Sequence, residues 1–289
     1  MRKCRRMWNM KLSRGLADCV KFTEDLFLDN ISFGGITANN QALGSVVSTT
    51  PVGNTFPHDG IVGFASQAVS GFNETPFFQS LCDEGHVAEC RFGLALKTDG
   101  TGKMILGEAD KSLYNGELSV APVLEEWFLK GDVAVNGKVI AADALMLLDS
   151  GTANIIGPIS VVQQIFDASG VTYEIQNITG CAPTLVGTYP CSHPPKLGFG
   201  FPSISDASQA AAKPNSTVSK KSSIFDVAAA AFSAGSANGT CTSILAGQDI
   251  PLSQAQNQLL WVVGQPWHQN HYVDFNVADR TVGVADLKC

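Results

Sequence analysis

Residues 147–158 read Leu-Leu-Asp-Ser-Gly-Thr-Ala-Asn-Ile-Ile-Gly-Pro, and they carry the strongest structural signal in the chain. Apolar residues run directly into Asp149, which predicts that a buried strand holds the base of a tight loop. Gly151 permits a backbone path that a Cβ would obstruct. The hydroxyls of Ser150 and Thr152 can hydrogen-bond the carboxylate and the nearby backbone. Asp-Ser-Gly-Thr alone is compatible with an ordinary turn, but a carboxylate held between apolar flanks can act as an acid or base toward water.

Short alternating runs separated by glycine-rich turns surround this stretch and predict a mainly β protein with few short helices. Asn136-Gly137 is typical of a tight hairpin turn. One helix is expected to begin with Thr75 as its cap and Pro76 in its first turn, and a second to cover residues 158–168. Strands are expected at residues 21–33, 42–49, 91–97, 103–107, 145–148, 261–263, 272–275 and 281–285, with others between 118 and 139.

The composition restricts the possible partners. The net charge is −7 and the sequence pI is about 5.2, which argues against nucleic acid, because phosphate binding needs a basic surface. The acidic balance suits a protein that works in acid. No run of about 18 apolar residues occurs, so no membrane-spanning helix and no membrane partner are expected.

The eight cysteines suggest disulfides and not a metal site. The spacing of Cys82 and Cys90 fits a small disulfide loop, and no pair of CxxC motifs predicts zinc. Cys191 and Cys241 bracket a polar stretch and could close it as a larger loop. Disulfides would imply an oxidising compartment. Four cysteines have no evident mates: Cys4, Cys19, Cys181 and Cys289.

The N-terminal residues lack the segment expected of a secreted protein with disulfides. No apolar segment follows the basic start of the chain, so no signal peptide is visible. We expect residues 1–19 to be irregular and unlike a native N terminus, and residues 203–223 to form a polar insertion. Asn-x-Ser/Thr sequons, which point to a secreted protein, occur at Asn30, Asn73, Asn177, Asn215 and Asn238.

Two apolar-apolar-Gly segments form a weak internal repeat, Ile61-Val62-Gly63 and Val262-Val263-Gly264, which suggests two related lobes. Together with the Asp149 loop, these segments resemble the pepsin-like aspartic peptidases, particularly their secreted fungal members. In that family each lobe donates one Asp-Thr/Ser-Gly-Thr/Ser loop, and each loop packs against an apolar-apolar-Gly segment. The resemblance covers roughly residues 20–289 and rests on several motifs in the right order.

The resemblance implies a bilobal, all-β, acid-protease fold. A partial N-terminal lobe is expected at residues 20–120 and a C-terminal lobe at residues 121–289. The implied function is that of an aspartic endopeptidase, which hydrolyses polypeptides at acidic pH as a monomer without cofactor or metal. The implied location is extracellular or vacuolar.

Residue roles follow from the same resemblance. Asp149 would be one catalytic carboxylate, Thr152 would hydrogen-bond it, and Ser150 would grip the opposite loop, with Gly151 between them. The family disulfides would be Cys82–Cys90 and Cys191–Cys241.

One part of the family pattern is missing from the sequence. The mechanism needs two carboxylates that share one proton, whereas Asp149 is the only aspartate followed by Ser/Thr-Gly. Asp59 is rejected as the partner, because it belongs to the segment that the family uses for packing. We therefore expect an endopeptidase whose first aspartate loop and flap are absent from this chain. The alternative is a catalytically inactive relative that binds peptides or protein partners.

Other chemistries find less support. A homodimer that pairs two copies of Asp149 is disfavoured, since the partial N-terminal lobe would block it. No Gly-x-Ser-x-Gly motif supports a serine hydrolase. The histidines are expected to be ordinary surface or loop residues: His58, His86, His193, His268 and His271.

Overall fold

The computed structural model describes residues 5–15, 21–50, 59–71, 73–177, 182–203, 222–250 and 260–288. Strands dominate these residues, which confirms the prediction of a mainly β fold with few short helices. The helices of the described residues are α1 (Phe77–Asp83), α2 (Ile159–Ser169) and α3 (Gln265–His268), with 3-10 turns at Gln67–Val69 and Ala229–Ala231.

The chain divides into two compact units, one formed by the described residues before Arg91 and the other by those from Arg91 onward. The lobe limits at residues 19, 20, 120 and 121 stay a prediction. Most of the expected insertion at residues 203–223 lies outside the described residues, and so do Cys4, Cys19, Cys181 and Cys289.

The first unit contains an antiparallel sheet of three consecutive strands, β1 (Arg5–Gly15), β2 (Lys21–Phe33) and β3 (Ile36–Thr50). Gly34 and Gly35 turn the chain between β2 and β3 with φ values of 60° and 86°, a conformation that a Cβ would strain. The expectation that residues 1–19 are irregular is wrong for Arg5–Gly15. These residues pair with β2 despite their lack of alternation, because an edge strand offers unpaired backbone groups to any neighbour.

Helix α1 packs on β3 and buries three apolar side chains, Phe77, Phe78 and Leu81. Gln41 of β3 links the two elements, since it accepts a hydrogen bond from Ser80 Oγ at 2.7 Å and donates one to the Thr75 carbonyl at 2.8 Å. The helix begins at Phe77, with Pro76 as a cap that makes no side-chain hydrogen bond. The predicted cap at Thr75 was therefore one residue too early.

The two apolar-apolar-Gly segments of the predicted repeat have different surroundings. Val263 is fully buried and Val262 is 7% exposed, because both lie inside a sheet. Ile61 is 73% exposed and Val62 is 57% exposed, and no described strand pairs with them. The segments therefore share a sequence pattern and differ in burial.

The second unit is built on a sheet of ten strands, which are β7 (Phe128–Val135), β8 (Lys138–Asp149), β9 (Ile155–Gly157), β10 (Thr172–Gln176), β11 (Thr184–Pro190), β12 (Leu197–Pro202), β13 (Ser222–Asp226), β14 (Ser233–Ala237), β15 (Thr240–Gly247) and β16 (Trp261–Gly264). Their order in the sheet is β10-β11-β15-β9-β16-β8-β7-β12-β13, with β14 beside β15. The predicted turn between β7 and β8 is present, with φ values of 51° at Asn136 and 76° at Gly137.

Helix α2 covers one end of this sheet. Val162, Ile165 and Phe166 are fully buried against β11 and β15, as their helical spacing predicts. Asp249 accepts a hydrogen bond from the backbone N–H of Ile159 at 3.0 Å and so satisfies one free donor of the first turn. Gly170 ends the helix in the left-handed conformation, with φ 66°.

An antiparallel sheet of five strands completes the second unit: β4 (Arg91–Leu96), β5 (Gly102–Leu106), β6 (Ser119–Pro122), β17 (His271–Asn276) and β18 (Thr281–Asp286). Their order in the sheet is β5-β4-β17-β18-β6. A buried ion pair joins β4 to β17. The Arg91 guanidinium donates to both carboxylate oxygens of Asp274, at 3.2 and 2.6 Å, and the Asp274 side chain is only 2% exposed.

We expect Asp274→Asn to destabilise the second unit by roughly 2–4 kcal/mol, because it leaves the Arg91 charge without its buried counter-ion. Urea unfolding measures the loss. The matched control is Glu117→Gln, which removes the exposed partner of Lys111 and should leave the free energy of unfolding nearly unchanged. Equal effects of the two substitutions would show that burial of the Arg91–Asp274 pair is unimportant.

Candidate active site

Asp149 is the last residue of β8, and the strand arrangement explains its position. β16 runs parallel to β8, so that Val263 pairs with Leu148 and Gly264 with Asp149. β9 lies on the other side of β16, where Ile156 pairs with Val262. The chain must therefore cross the end of β16 between β8 and β9. Residues 150–154 make that crossing and form the loop that displays Asp149.

Two hydrogen bonds orient the Asp149 carboxylate. The backbone N–H of Gly151 donates to Oδ1 at 2.9 Å, and the Thr152 hydroxyl donates to Oδ2 at 2.6 Å. The Thr152 N–H closes the turn on the Asp149 carbonyl at 3.1 Å. Each carboxylate oxygen thus has its own donor, which fixes the plane of the group. Asp149 itself is half-buried, whereas Ser150 and Gly151 are exposed.

Gly264 supports the loop from below. A Cβ at this position would collide with the backbone carbonyl oxygens of Thr152 and Asn154. The next residue, Gln265, donates its backbone N–H to the Thr152 carbonyl at 2.8 Å. The loop consequently rests directly on the junction of β16 and α3, and that junction admits no side chain.

A second glycine contact fixes the strand on the far side of the loop. A Cβ at Gly157 would lie 2.5 Å from the Trp261 indole, so the ring packs flat against the backbone of β9. Trp261 is 1% exposed and Leu148 is 2% exposed. The loop therefore has an apolar, tightly packed base, as the flanking residues predicted.

His268 and His271 lie beneath this site in the core, and the prediction of surface or loop positions was wrong for both. His268, at the end of α3, is fully buried and His271, at the start of β17, is 3% exposed, because both rings pack against Trp267. Burial lowers the pKa of His268 from 6.5 to about 4, although the charge of Asp149 opposes the shift. Burial also lowers the pKa of His271.

The sequence predicted the residues of the Asp149 loop, but it did not predict all of the residues on which the loop packs. Asp149, Ser150, Gly151 and Thr152 lie together in one turn, and the predicted hydrogen bond from Thr152 is present. The backbone contribution of Gln265 has no side-chain signature and was missed.

The described residues contain no group of three or more His, Cys, Asp or Glu side chains arranged to hold a metal ion. None of their helices is long and apolar enough to cross a membrane.

Comparison with known proteins assigns most of the chain to one protein family. The family profile for eukaryotic aspartyl proteases matches residues 14–287. The chain belongs to the eukaryotic aspartyl protease family. This is a family of aspartic endopeptidases.

Curated members of the family align over similar stretches. Pepsin A of Sus scrofa is 27% identical over 90% of this chain and 62% of its own length. Secreted aspartyl protease 1 of Malassezia globosa is 30% identical over 90% of this chain and 58% of its own length. Pepsin II-1 of Oryctolagus cuniculus is 35% identical over 53% of this chain and 42% of its own length. The chain thus spans less than two thirds of each of these relatives.

Both disulfides implied by the family resemblance are present. Cys82–Cys90 closes the end of α1 with an S–S distance of 2.10 Å, and Cys191–Cys241 has an S–S distance of 2.06 Å. Cys241 belongs to β15 and Cys191 directly follows β11. The second disulfide therefore joins the ends of two neighbouring strands.

Replacing Gly264 by Ala should displace the Asp149 loop and cost about 3 kcal/mol, near the upper end for overpacking, because rigid backbone oxygens face the added methyl group. Chemical denaturation of the variant measures the cost. Gly235→Ala is the matched control, since nothing lies within 4 Å of its added Cβ. A Gly264→Ala variant as stable as the Gly235→Ala variant would contradict the close packing of the loop on β16.

Proposed function

We propose that the protein to which this chain belongs is an aspartic endopeptidase and that Asp149 is one of its two catalytic carboxylates. The observation that carries the proposal is the Asp149 carboxylate, oriented by Gly151 and Thr152 in a half-buried loop above a closed apolar base. A carboxylate in this setting can exchange a proton with a bound water molecule. Membership of the eukaryotic aspartyl protease family supports the same assignment.

The mechanism uses two carboxylates that share one proton, because two like charges so close together cannot both ionise. The ionised member takes a proton from water, which attacks the scissile carbonyl carbon. The protonated member gives its proton to the carbonyl oxygen as the tetrahedral diol forms. The C–N bond then breaks, the nitrogen leaves as an amine with a proton taken from the carboxyl pair, and the pair returns to sharing one proton. Gly151 and Thr152 would keep Asp149 in the plane that this exchange requires, and Ser150 would contact the loop that carries the partner.

The second carboxylate is proposed to come from a segment outside this sequence. Asp149 is the only aspartate here that is followed by Ser/Thr-Gly. The chain also spans only 62% of pepsin A and 58% of the Malassezia protease. The coding region upstream of the chain should accordingly encode an Asp-Thr-Gly segment in frame.

The competing function is peptide binding without hydrolysis. The single aspartate loop favours it, because one carboxylate cannot perform both roles of the pair. An inactive relative would bind a peptide-like transition-state mimic and would show no turnover at any pH.

We predict that the chain, joined to its upstream coding region, cleaves a denatured protein substrate at pH 3–5 and that Asp149→Asn abolishes cleavage. The amide keeps the size of the carboxylate and cannot accept the proton from water. Asp143→Asn, which replaces an exposed aspartate of the same strand, is the control and should leave cleavage unchanged. Absence of cleavage by the extended wild-type protein, with retained binding of the mimic, would favour the peptide-binding function.

The proposed setting is extracellular or vacuolar, with polypeptides as substrates and a monomeric enzyme. Two disulfides support an oxidising compartment. One relative is named a secreted aspartyl protease. Among the sequons, Asn238 is exposed at the tip of the hairpin between β14 and β15, where it has a φ of 51°.

We predict that Asn238 carries an N-linked glycan when the protein is secreted, since a sequon at an exposed turn is accessible to the transferase. Mass spectrometry before and after glycosidase treatment detects the modification. Thr240→Val should remove the glycan, whereas Thr240→Ser preserves the sequon and should retain it. An unmodified Asn238 in the secreted wild-type protein would contradict the prediction.

A further inference from the structure

The strand that carries Asp149 is supported from a second side, where β8 lies against β7. On this side Phe128 pairs with Leu147. The ladder extends one rung further, because the Leu148 N–H donates to the Trp127 carbonyl at 3.1 Å. Leu148 directly precedes Asp149, and β7 and β16 lie on opposite sides of β8. The Trp127 carbonyl therefore holds the end of β8 from the side that β16 does not reach.

Trp127 belongs to a tight turn of residues 123–128, which we call the Trp127 turn. The Phe128 N–H donates to the Glu125 carbonyl at 2.9 Å, and the Leu124 N–H donates to the Phe128 carbonyl at 2.9 Å. These two bonds tie the end of the turn back to its start. The place of Trp127 beside β8 consequently depends on what holds the start of the turn.

The ring of Trp127 rests on the five-stranded sheet. It meets the rings of Phe92 on β4 and Phe275 on β17 edge-on, with distances of 5.7 and 4.9 Å between ring centroids. Edge-on aromatic contacts are favourable and directional. The Trp127 turn is therefore packed against this sheet.

Arg280 joins the start of the Trp127 turn to the hairpin between β17 and β18. Its guanidinium Nη2 donates to the Leu124 carbonyl at 2.8 Å. Its own carbonyl accepts a hydrogen bond from the Val123 N–H at 2.9 Å. The hairpin is also held internally, since the Asn276 side chain makes two hydrogen bonds with Asp279, both at 3.0 Å. The start of the turn is thus attached to one residue of a well-held hairpin.

The backbone on both sides of this contact has an unusual conformation. Among the described residues other than glycine, asparagine and aspartate, only Glu126 and Arg280 have positive φ values, of 49° and 53°. The left-handed conformation is unfavourable for a residue with a Cβ, whereas glycine adopts it readily. An arginine at a position that suits glycine points to a role for its side chain.

We propose that Arg280 is a positioning residue for Asp149 and that it acts through the Trp127 turn. The guanidinium fixes the Leu124 carbonyl, and the turn then holds the Trp127 carbonyl against the end of β8. The proposal rests on the proposed function for the catalytic role of Asp149. The support that the turn gives to β8 is a property of the fold and can be measured without substrate.

The expected effect on catalysis is moderate. A displacement of about 1 Å in a supporting element can lower a rate by about 100-fold. Loss of the Arg280 side chain would loosen only one side of β8, because β16 still pairs with the strand up to Asp149. A single hydrogen bond of this kind corresponds to a decrease of roughly 3- to 10-fold in kcat. KM should stay unchanged, because the side chain acts on the turn and not on the substrate.

Three substitutions at Arg280 separate the hydrogen-bond donor from the backbone strain. Arg280→Lys keeps a charged donor and the strain, and it should retain most of the wild-type behaviour. Arg280→Met keeps the strain and removes the donor. Arg280→Gly removes both, so it should be more stable to urea than Arg280→Met. The control is Lys288→Met, which removes a similar bond from an exposed cation to the Lys111 carbonyl, beyond the opposite end of β18.

Hydrogen exchange at the Leu148 amide of the full chain tests the structural part of the proposal. Exchange should be roughly 3- to 10-fold faster in Arg280→Met and in Arg280→Gly than in the wild type. Arg280→Lys and Lys288→Met should keep a rate close to that of the wild type. An unchanged rate in both Arg280→Met and Arg280→Gly overturns the proposal. A rate that follows only the stability to urea also overturns it, because the side chain would then have a general structural role.

Cleavage by the chain joined to its upstream coding region tests the catalytic part. We expect kcat to fall in Arg280→Met and Arg280→Gly and to be largely retained in Arg280→Lys, with KM unchanged throughout. A change in KM alone would mean that Arg280 contacts the substrate, and it would overturn the positioning role. If the extended wild-type protein does not cleave, the proposed function fails, whereas exchange at Leu148 still decides whether Arg280 supports β8.

Discussion

The insertion of β16 between β8 and β9 is the constraint on which the candidate site depends. Two strands that follow each other along the chain are held apart by a third, so the residues between them must arch over its end. Gly264 lets that arch approach to backbone contact, and Gly151 and Thr152 then orient the carboxylate within it. Asp149 is consequently held by sheet topology, one backbone N–H and one short hydroxyl side chain, which are stiffer than long flexible side chains.

The core under the arch combines dense packing with a buried imidazole. Trp261 and Trp267 fill the space behind β9 and α3, and both are almost completely buried. His268 lies among them, and within the described residues one of its ring nitrogens is hydrogen-bonded while the other has no partner. An aliphatic side chain would fill the same space without a titratable group. The buried imidazole is therefore a polar group that packing alone does not require.

The sequence predicted features that depend on local chemistry. The Asp149 turn, the Asn136-Gly137 hairpin and the buried face of α2 each follow from residues close together in the chain. Features that depend on contacts between residues far apart in the chain were not predicted from the sequence. Arg5–Gly15 forms a strand only because β2 offers an edge, and the burial of His268 depends on β17 and β4. Ile61 and Val262 belong to matching motifs, yet only Val262 has strands on both sides.

The position of β16 between two earlier strands also determines when the Asp149 loop can form during synthesis. Asp149 leaves the ribosome long before Gly264, and the arch cannot close until the later segment has inserted between β8 and β9. Contacts between such distant residues form late and slowly. A nascent chain interrupted between Thr152 and β16 would carry the complete Asp-Ser-Gly-Thr sequence without the strand on which the loop packs. The Asp149 loop therefore cannot pack in place until β16 has been synthesised, and this timing is set by strand order alone.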